Sequence, residues 1–183
     1  MLARACAVLA ACAALAGCAS RAPGAATRFS AGQAIATYLP PGHRAAGPSL
    51  AGETLTGSSL DVASLRGSGP VVVNVWGSWC PPCKEEQPAL ERVAAATRSR
   101  GVSFVGIDIR DSLVGARKHV ARFGVSYPSL FDPSARLLAG FAVPPKSPPA
   151  TYVLDREGRI AAYAFGTLDE PGLTRLVDMV LAS

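Results

Sequence analysis

The sequence predicts an α/β domain in which a central mixed sheet is flanked by helices. Near-continuous apolar runs at 70–76 and 102–109 read as strands buried on both faces. Helical patterns over 81–98, 112–123 and 169–181 alternate with them, as a layered sheet requires. A late pair of strands, 150–154 and 159–165, is joined by Asp155-Arg156-Glu157-Gly158, a hairpin turn ending in glycine.

Taken in order, the globule begins near Ser49. Segments 50–55 and 59–62 are short and partly alternating, with Gly52 and Gly57 as punctuation, and predict a small leading β-hairpin. After the first buried strand, Pro81 and Pro82 open the helix where no N–H is needed. Glu85 and Glu86 stand at its positive end, and Leu90, Val93 and Ala94 share a face. Pro88 inside this helix predicts a kink, and Gly101 stops it. Strand 102–109 follows, then a helix closed by Gly124, a short strand at 127–131 and a helix at 134–141. Residues 111–131 thus form an inserted helix-strand unit. A proline-dense loop at 144–149 leads into the late strand pair, and Leu173, Leu176, Val177 and Val180 give the last helix its apolar side.

The start of the chain has another character. Arg4 gives a short positive start, and 5–17 is an uncharged apolar run, too short to span a membrane and suited to a secretory signal. It ends in Leu15-Ala16-Gly17-Cys18, which resembles the lipobox of bacterial lipoproteins. The resemblance implies a signal peptide at 1–17, a lipid on Cys18 and a membrane anchor. Residues 18–48 are rich in Ala, Gly, Pro, Ser and Thr and read as a flexible tether with one weak helical stretch at 31–39. The domain itself is expected over 49–183.

The 183 residues carry a net charge of +5, with 49% hydrophobic and 17% charged residues. That excludes a disordered chain, and the scattered basic residues form no nucleic-acid patch. Of five cysteines, Cys6 and Cys12 fall in the signal and Cys18 at the lipobox, leaving Cys80 and Cys83 in the mature domain. A secreted protein whose only free cysteines form Cys-x-x-Cys is a redox candidate. Cys80 falls at a helix N-terminus, where the peptide dipoles favour the thiolate, and only the thiolate attacks a disulfide. Cys83, one turn on, is placed to resolve a mixed disulfide. Zinc needs more ligands than this pair, and His43 and His119 are not at finger spacing; no metal or other cofactor is expected. No glycine fingerprint for a nicotinamide or flavin follows a strand.

The stretch Val73-Asn74-Val75-Trp76-Gly77-Ser78-Trp79-Cys80-Pro81-Pro82-Cys83-Lys84 resembles the active-site segment of thioredoxin-fold proteins. Its continuation Glu85-Glu86-Gln87-Pro88, with Pro149-Ala150-Thr151-Tyr152 downstream, is similar to thioredoxin-like lipoproteins and reductases of the cytochrome-c-maturation type. The resemblance runs from about Ser49 to the C-terminus. It implies a thioredoxin fold and a thiol–disulfide oxidoreductase outside the cytoplasmic membrane. Its clients would be protein disulfides, such as the Cys-x-x-Cys-His site of an apocytochrome c, and a membrane thiol transporter would supply electrons. Glu86 matches an acidic residue that those reductases keep near their cysteines, implying proton relay to Cys83. Asn74 stands where thioredoxins carry a buried aspartate, which makes Glu86 the better proton-handling group. Pro149 would be the cis-proline, exposing the edge of the following strand to client backbone, with Pro148 altering that contact. Trp79 would shield Cys80, and Trp76 would lie in the core.

The two prolines bear on direction. Proline has no N–H, so of the three residues after Cys80 only Cys83 can donate to its sulfur. A less stabilised thiolate makes the dithiol a better reductant. The rivals are an oxidase using the same residues, a thiol peroxidase, which normally has a lone peroxidatic cysteine, and a partner- or copper-binding lipoprotein. Only Met1 and Met179 are present to serve a copper site.

Overall fold

Seven strands form one sheet, in the order Thr27–Ala31, Ala34–Tyr38, Ile160–Phe165, Ala150–Leu154, Val71–Trp76, Ser103–Ile109 and Ser129–Asp132. A computed structural model describes residues 24–67 and 69–183. The expected signal peptide and Cys18 lie outside the described residues. The strands are β1 (Thr27–Ala31), β2 (Ala34–Tyr38), β5 (Val71–Trp76), β6 (Ser103–Ile109), β7 (Ser129–Asp132), β8 (Ala150–Leu154) and β9 (Ile160–Phe165). A separate hairpin pairs β3 (Ala51–Glu53) with β4 (Ser59–Asp61), as the turn signals predicted. The helices are α1 (Pro81–Thr97), α2 (Leu113–Phe123) and α3 (Glu170–Leu181).

The sheet is mixed. β5, β6 and β7 run parallel, and the remaining pairs are antiparallel. All six residues of β5 are buried, which explains why that run shows no polar alternation. On one face Val72, Phe104 and Val153 meet Leu90 and Val93 of α1 and Leu173, Leu176 and Val177 of α3. Next to them Trp76 meets Ala116 of α2, so that helix caps the same face. On the other face Val71, Val73, Val75 and Tyr152 are covered by Leu50, Val62, Leu138 and Phe141. Those residues come from the leading hairpin's flanks and two 3-10 turns, Val62–Leu65 and Arg136–Gly140. The second turn stands where the sequence predicted a helix over 134–141; a left-handed Ala135 (φ 56°) starts it and restricts it to a short 3-10 turn. Pro88 removes one rung from the ladder of α1 without ending the helix.

The tether expected over 18–48 requires correction. From Thr27 the chain is part of the fold: β1 and β2 form a hairpin, and β2 pairs with β9 through Ile35–Phe165 to Tyr38–Ala162. The weak helix expected at 31–39 is strand β2. The misreading has a physical cause. The inward positions are alanines (Ala31, Ala34 and Ala36, all nearly fully buried), whereas the large Ile35 points outward at 47% exposure. Small residues are needed because α3 approaches closely, Ala31 lying directly against Gly172. The same segment is tied down further on: Arg44 Nη1 reaches Asp155 Oδ2 at 3.1 Å, both side chains buried. Arg159 Nε adds a second ion pair at 2.9 Å. Burial pushes the Asp155 carboxyl up, but the Arg159 backbone N–H and the two guanidinium groups outweigh it and hold it below its ordinary value.

A domain started at Ser49 therefore leaves the β9 edge bare and part of the core uncovered. Compared with a chain starting at Gly24, its melting temperature is expected to fall by about 10 °C or more. Thermal unfolding followed by circular dichroism checks this; equal melting temperatures would return 24–48 to tether status.

Candidate active site

Cys80 and Cys83 stand at the C-terminal end of β5, where the chain turns into α1. Cys80 is the N-cap of α1, and the two are joined as a disulfide with Cα atoms 5.4 Å apart. Both are almost fully buried (2% and 1% exposed). Pro81 and Pro82 occupy the first helical positions and present no N–H. The Cys83 N–H, at 3.2 Å, is the donor to Cys80 Sγ. The geometry expected from the sequence is present: one backbone donor where a helix without these prolines would offer more.

The loop before Cys80 is held from the side by the inserted unit. Asp111 accepts the Ser78 backbone N–H at 2.5 Å, the Ser78 hydroxyl at 2.9 Å and the Ser112 N–H at 2.7 Å. The Trp79 indole N–H donates to the Ile109 carbonyl at 3.1 Å, leaving the ring half exposed beside the dithiol. Gly77 permits this fold-back, since a Cβ there would press on the indole 2.6 Å away. Arg110 takes a left-handed φ of 51°, a strained conformation for a side-chain-bearing residue at the point where strand β6 turns towards Asp111. Trp76 is core, as expected: its N–H donates to Ser129 Oγ at 3.3 Å and its ring stacks on His119.

Asp111 escaped the sequence reading. The available signal was its position just past the end of a buried parallel strand, where sites of α/β sheets assemble. Asp111→Ala is expected to loosen the Ser78–Trp79 loop and slow the first thiol attack about tenfold, without changing the final oxidised product. Stopped-flow tryptophan fluorescence during exchange reads this directly, and Asp111→Asn should recover part of the loss.

Glu86 lies one turn beyond Cys83 and is 1% exposed rather than a surface charge at the helix start. Its Oε1 accepts from Asn74 Nδ2 at 2.8 Å and its Oε2 from the Leu168 N–H at 3.0 Å. Asn74 also donates to Thr151 Oγ1 at 3.1 Å, so one polar chain links β5, α1 and β8 beneath the dithiol. Burial raises the Glu86 carboxyl from 4.5 to about 7, against the two hydrogen bonds, which lower it. The group therefore changes charge near neutrality, as a proton carrier must. Asn74 Oδ1 has no partner. An amide presents either a donor or an acceptor, so Asn74 can serve both the carboxylate and the acid form of Glu86. Asp108, at the C-terminal end of β6, is a second buried acid; burial first and then Asp111 raise it to about 8.

The Pro148–Pro149 bond is cis, and Pro149 leads into β8. The expected exposed strand edge is not there. β8 is paired on both sides, Ala150 matching Val75 and Phe165, and the Pro149 carbonyl already accepts the Gly166 N–H at 3.1 Å. What lies open is a mostly apolar groove of about 450 Å³ alongside the loop, walled by Val143, Pro144, Pro148, Pro149 and Phe165, with Lys146 and Ser147 also on its lining.

A dithiol pair that opens and closes at the mouth of a helix, on this sheet, defines the chain as a thioredoxin-fold thiol–disulfide oxidoreductase. It belongs to the Redoxin family, whose profile matches residues 40–177. Among solved structures it is 33% identical to a DsbF homologue from Corynebacterium diphtheriae. That match has a TM-score of 0.74 and covers 82% of this chain and 96% of the other. A secreted thiol-disulfide isomerase from Corynebacterium glutamicum is 25% identical, with a TM-score of 0.75 and coverage of 87% and 100%. The thiol-disulfide oxidoreductase ResA of Bacillus subtilis (strain 168) is 29% identical over 123 residues, 67% of each chain.

Proposed function

We propose that the chain works outside the cytoplasmic membrane, held there by a lipid on Cys18, and reduces client disulfides, among them the Cys-x-x-Cys-His site of apocytochrome c. The observation that carries the direction is the single backbone donor at Cys80 Sγ, the two prolines supplying none. The similarity to ResA and to secreted relatives supports the compartment. Among the described residues no helix is long and apolar enough to cross a membrane.

The reaction runs in two exchanges. The Cys80 thiolate attacks one client sulfur, the client S–S bond breaks, and the other client sulfur leaves as a thiolate that takes up a proton. Cys83 then gives its proton to the Glu86 carboxylate and attacks Cys80 Sγ; the mixed disulfide breaks, and the second client sulfur leaves as a thiolate that takes up the proton held on Glu86. The client gains two electrons and two protons, and the Cys80–Cys83 disulfide remains. A membrane thiol transporter restores the dithiol. Cys80 is shielded by Trp79 until a client segment enters along the groove beside Pro148 and Pro149. Pro148 brings a carbonyl but no N–H to that contact, so the client is gripped more by apolar side chains than by strand pairing.

The test is stoichiometric reduction of a peptide disulfide containing Cys-x-x-Cys-His by the reduced protein. Transfer of two electrons per protein, faster than to a scrambled secreted protein, is expected. Reoxidation of the protein only by a strong oxidant, with the peptide left oxidised, would contradict the reading.

A further inference from the structure

We propose that the cavity beside the dithiol, walled by Lys84, Lys118 and Arg122 over His119, binds the carboxylate of an aspartate or glutamate that flanks the client's disulfide. The proposal rests on the exchange reaction, not on its direction or on the apocytochrome client.

The cavity has a volume of about 210 Å³ and opens on the α2 side of the active-site loop. Ser78 lies two residues before Cys80 and Lys84 directly after Cys83, so the cavity adjoins the reacting sulfurs. Lys84, Lys118 and Arg122 are exposed, and none of them forms an ion pair among the described residues. Three unpaired cations on one small opening are more than a solvated helix face requires. α2 has no acidic residue, and the nearby Asp111, hydrogen-bonded to Ser78 and Ser112, forms no ion pair with any of the three.

His119 supplies the second, independent observation. It is 4% exposed and stacked between Trp76 (ring centroids 4.5 Å apart) and Phe123 (4.6 Å), yet neither ring nitrogen has a hydrogen-bond partner. A buried imidazole without partners costs free energy unless something fills the gap. Burial, then Lys84, lower its pKa to about 4, with Arg122 adding and Asp111 opposing. The ring is thus neutral and offers one N–H. A carboxylate entering the cavity meets the three cations, in a partly desolvated setting that strengthens the attraction, and lies against the ring of His119, whose two nitrogens are closed to solvent.

A peptide substrate is favoured over a free anion by position. A client whose disulfide is engaged at Cys80 brings its neighbouring side chains to this cavity, which borders α2, between β6 and β7 in the chain, whereas the Pro149 groove borders β8 and β9 on the other side of β5. The two together grip a segment apolar on one flank and acidic on the other.

The experiment uses the full-length chain in detergent and two peptide disulfides differing only in one flanking residue, Glu or Gln. At low salt the Glu peptide is expected to be reduced about tenfold faster at sub-saturating concentration, an advantage that shrinks in 0.5 M salt. In Lys118→Gln/Arg122→Gln, both changes being at exposed positions, the two peptides should share one rate. Serine versions of the peptides give a second readout. The Glu form should move the His119 ring resonances and leave those of His43, the other histidine, unmoved. Equal rates for both peptides in the unaltered protein, or a Glu preference that survives the double change, would overturn the proposal. So would His119 responding to phosphatidylglycerol vesicles but not to the Glu peptide, which would make the cavity a lipid contact. If neither peptide is reduced at all, the redox function itself fails, a result separate from these.

Discussion

Cys80→Ser loses client disulfide reduction by at least about a thousandfold, whereas Cys83→Ser still attacks once and stops as a mixed disulfide. The difference follows from the positions of the two sulfurs. Cys80 is the N-cap of α1, at the helix mouth next to the half-exposed Trp79, whereas Cys83 sits inside the first turn; in the disulfide both are almost fully buried. A serine hydroxyl at Cys80 cannot replace a thiolate as nucleophile. With Cys83 replaced, the first exchange proceeds but nothing displaces the client from Cys80. Incubation with an oxidised client and analysis on non-reducing gels separate the cases. The covalent complex is expected for Cys83→Ser and absent for Cys80→Ser. A complex trapped by Cys80→Ser instead would reverse the assigned roles.

Glu86→Gln is expected to slow the second exchange about a hundredfold near pH 7, with the first exchange much less affected. In the unaltered protein the rate of resolution rises with pH through about 7, as the buried carboxyl loses its proton and becomes able to take one from Cys83. The glutamine side chain cannot titrate, so that inflection disappears. The stability profile carries the same signature. A carboxyl whose folded pKa is raised holds its proton more tightly in the native state. Its contribution is full below about 4.5 and is lost as pH rises to about 7, a drop of a few kcal/mol for a group this buried. Urea unfolding at pH 4.5 and 8 should show that drop in the unaltered protein and a flatter profile in Glu86→Gln. If the variant keeps both the rate inflection and the stability slope, the titrating group is another, and Asp108 becomes the candidate.

How much of this was legible beforehand depended on which signals are local. The dithiol, its helix mouth and the buried β5 strand were readable because each is written in consecutive residues. Glu86 was identified through resemblance, but its burial was not legible, because the groups that hydrogen-bond it, Asn74 and the Leu168 N–H, are distant in sequence. β1 and β2 were missed for the opposite reason. Their inward alanines carry too little hydrophobicity to register, and only the close approach of α3 explains why larger residues are not used. The paired flanks of β8 and the role of Asp111 depend on which strands become neighbours, a property of topology that no short window contains.

The most direct test of the account is the equilibrium reduction potential of the Cys80–Cys83 couple, titrated in dithiol buffers with the chain from Gly24 onward. Because Pro81 and Pro82 leave Cys80 Sγ with the Cys83 N–H as its backbone donor, the thiolate is weakly stabilised and the dithiol should give up electrons readily. The expected potential lies at or below about −220 mV, in the range of glutaredoxins and thioredoxin. A value near about −120 mV, the range of the strongest protein oxidants, would contradict the account and make the chain a donor of disulfides.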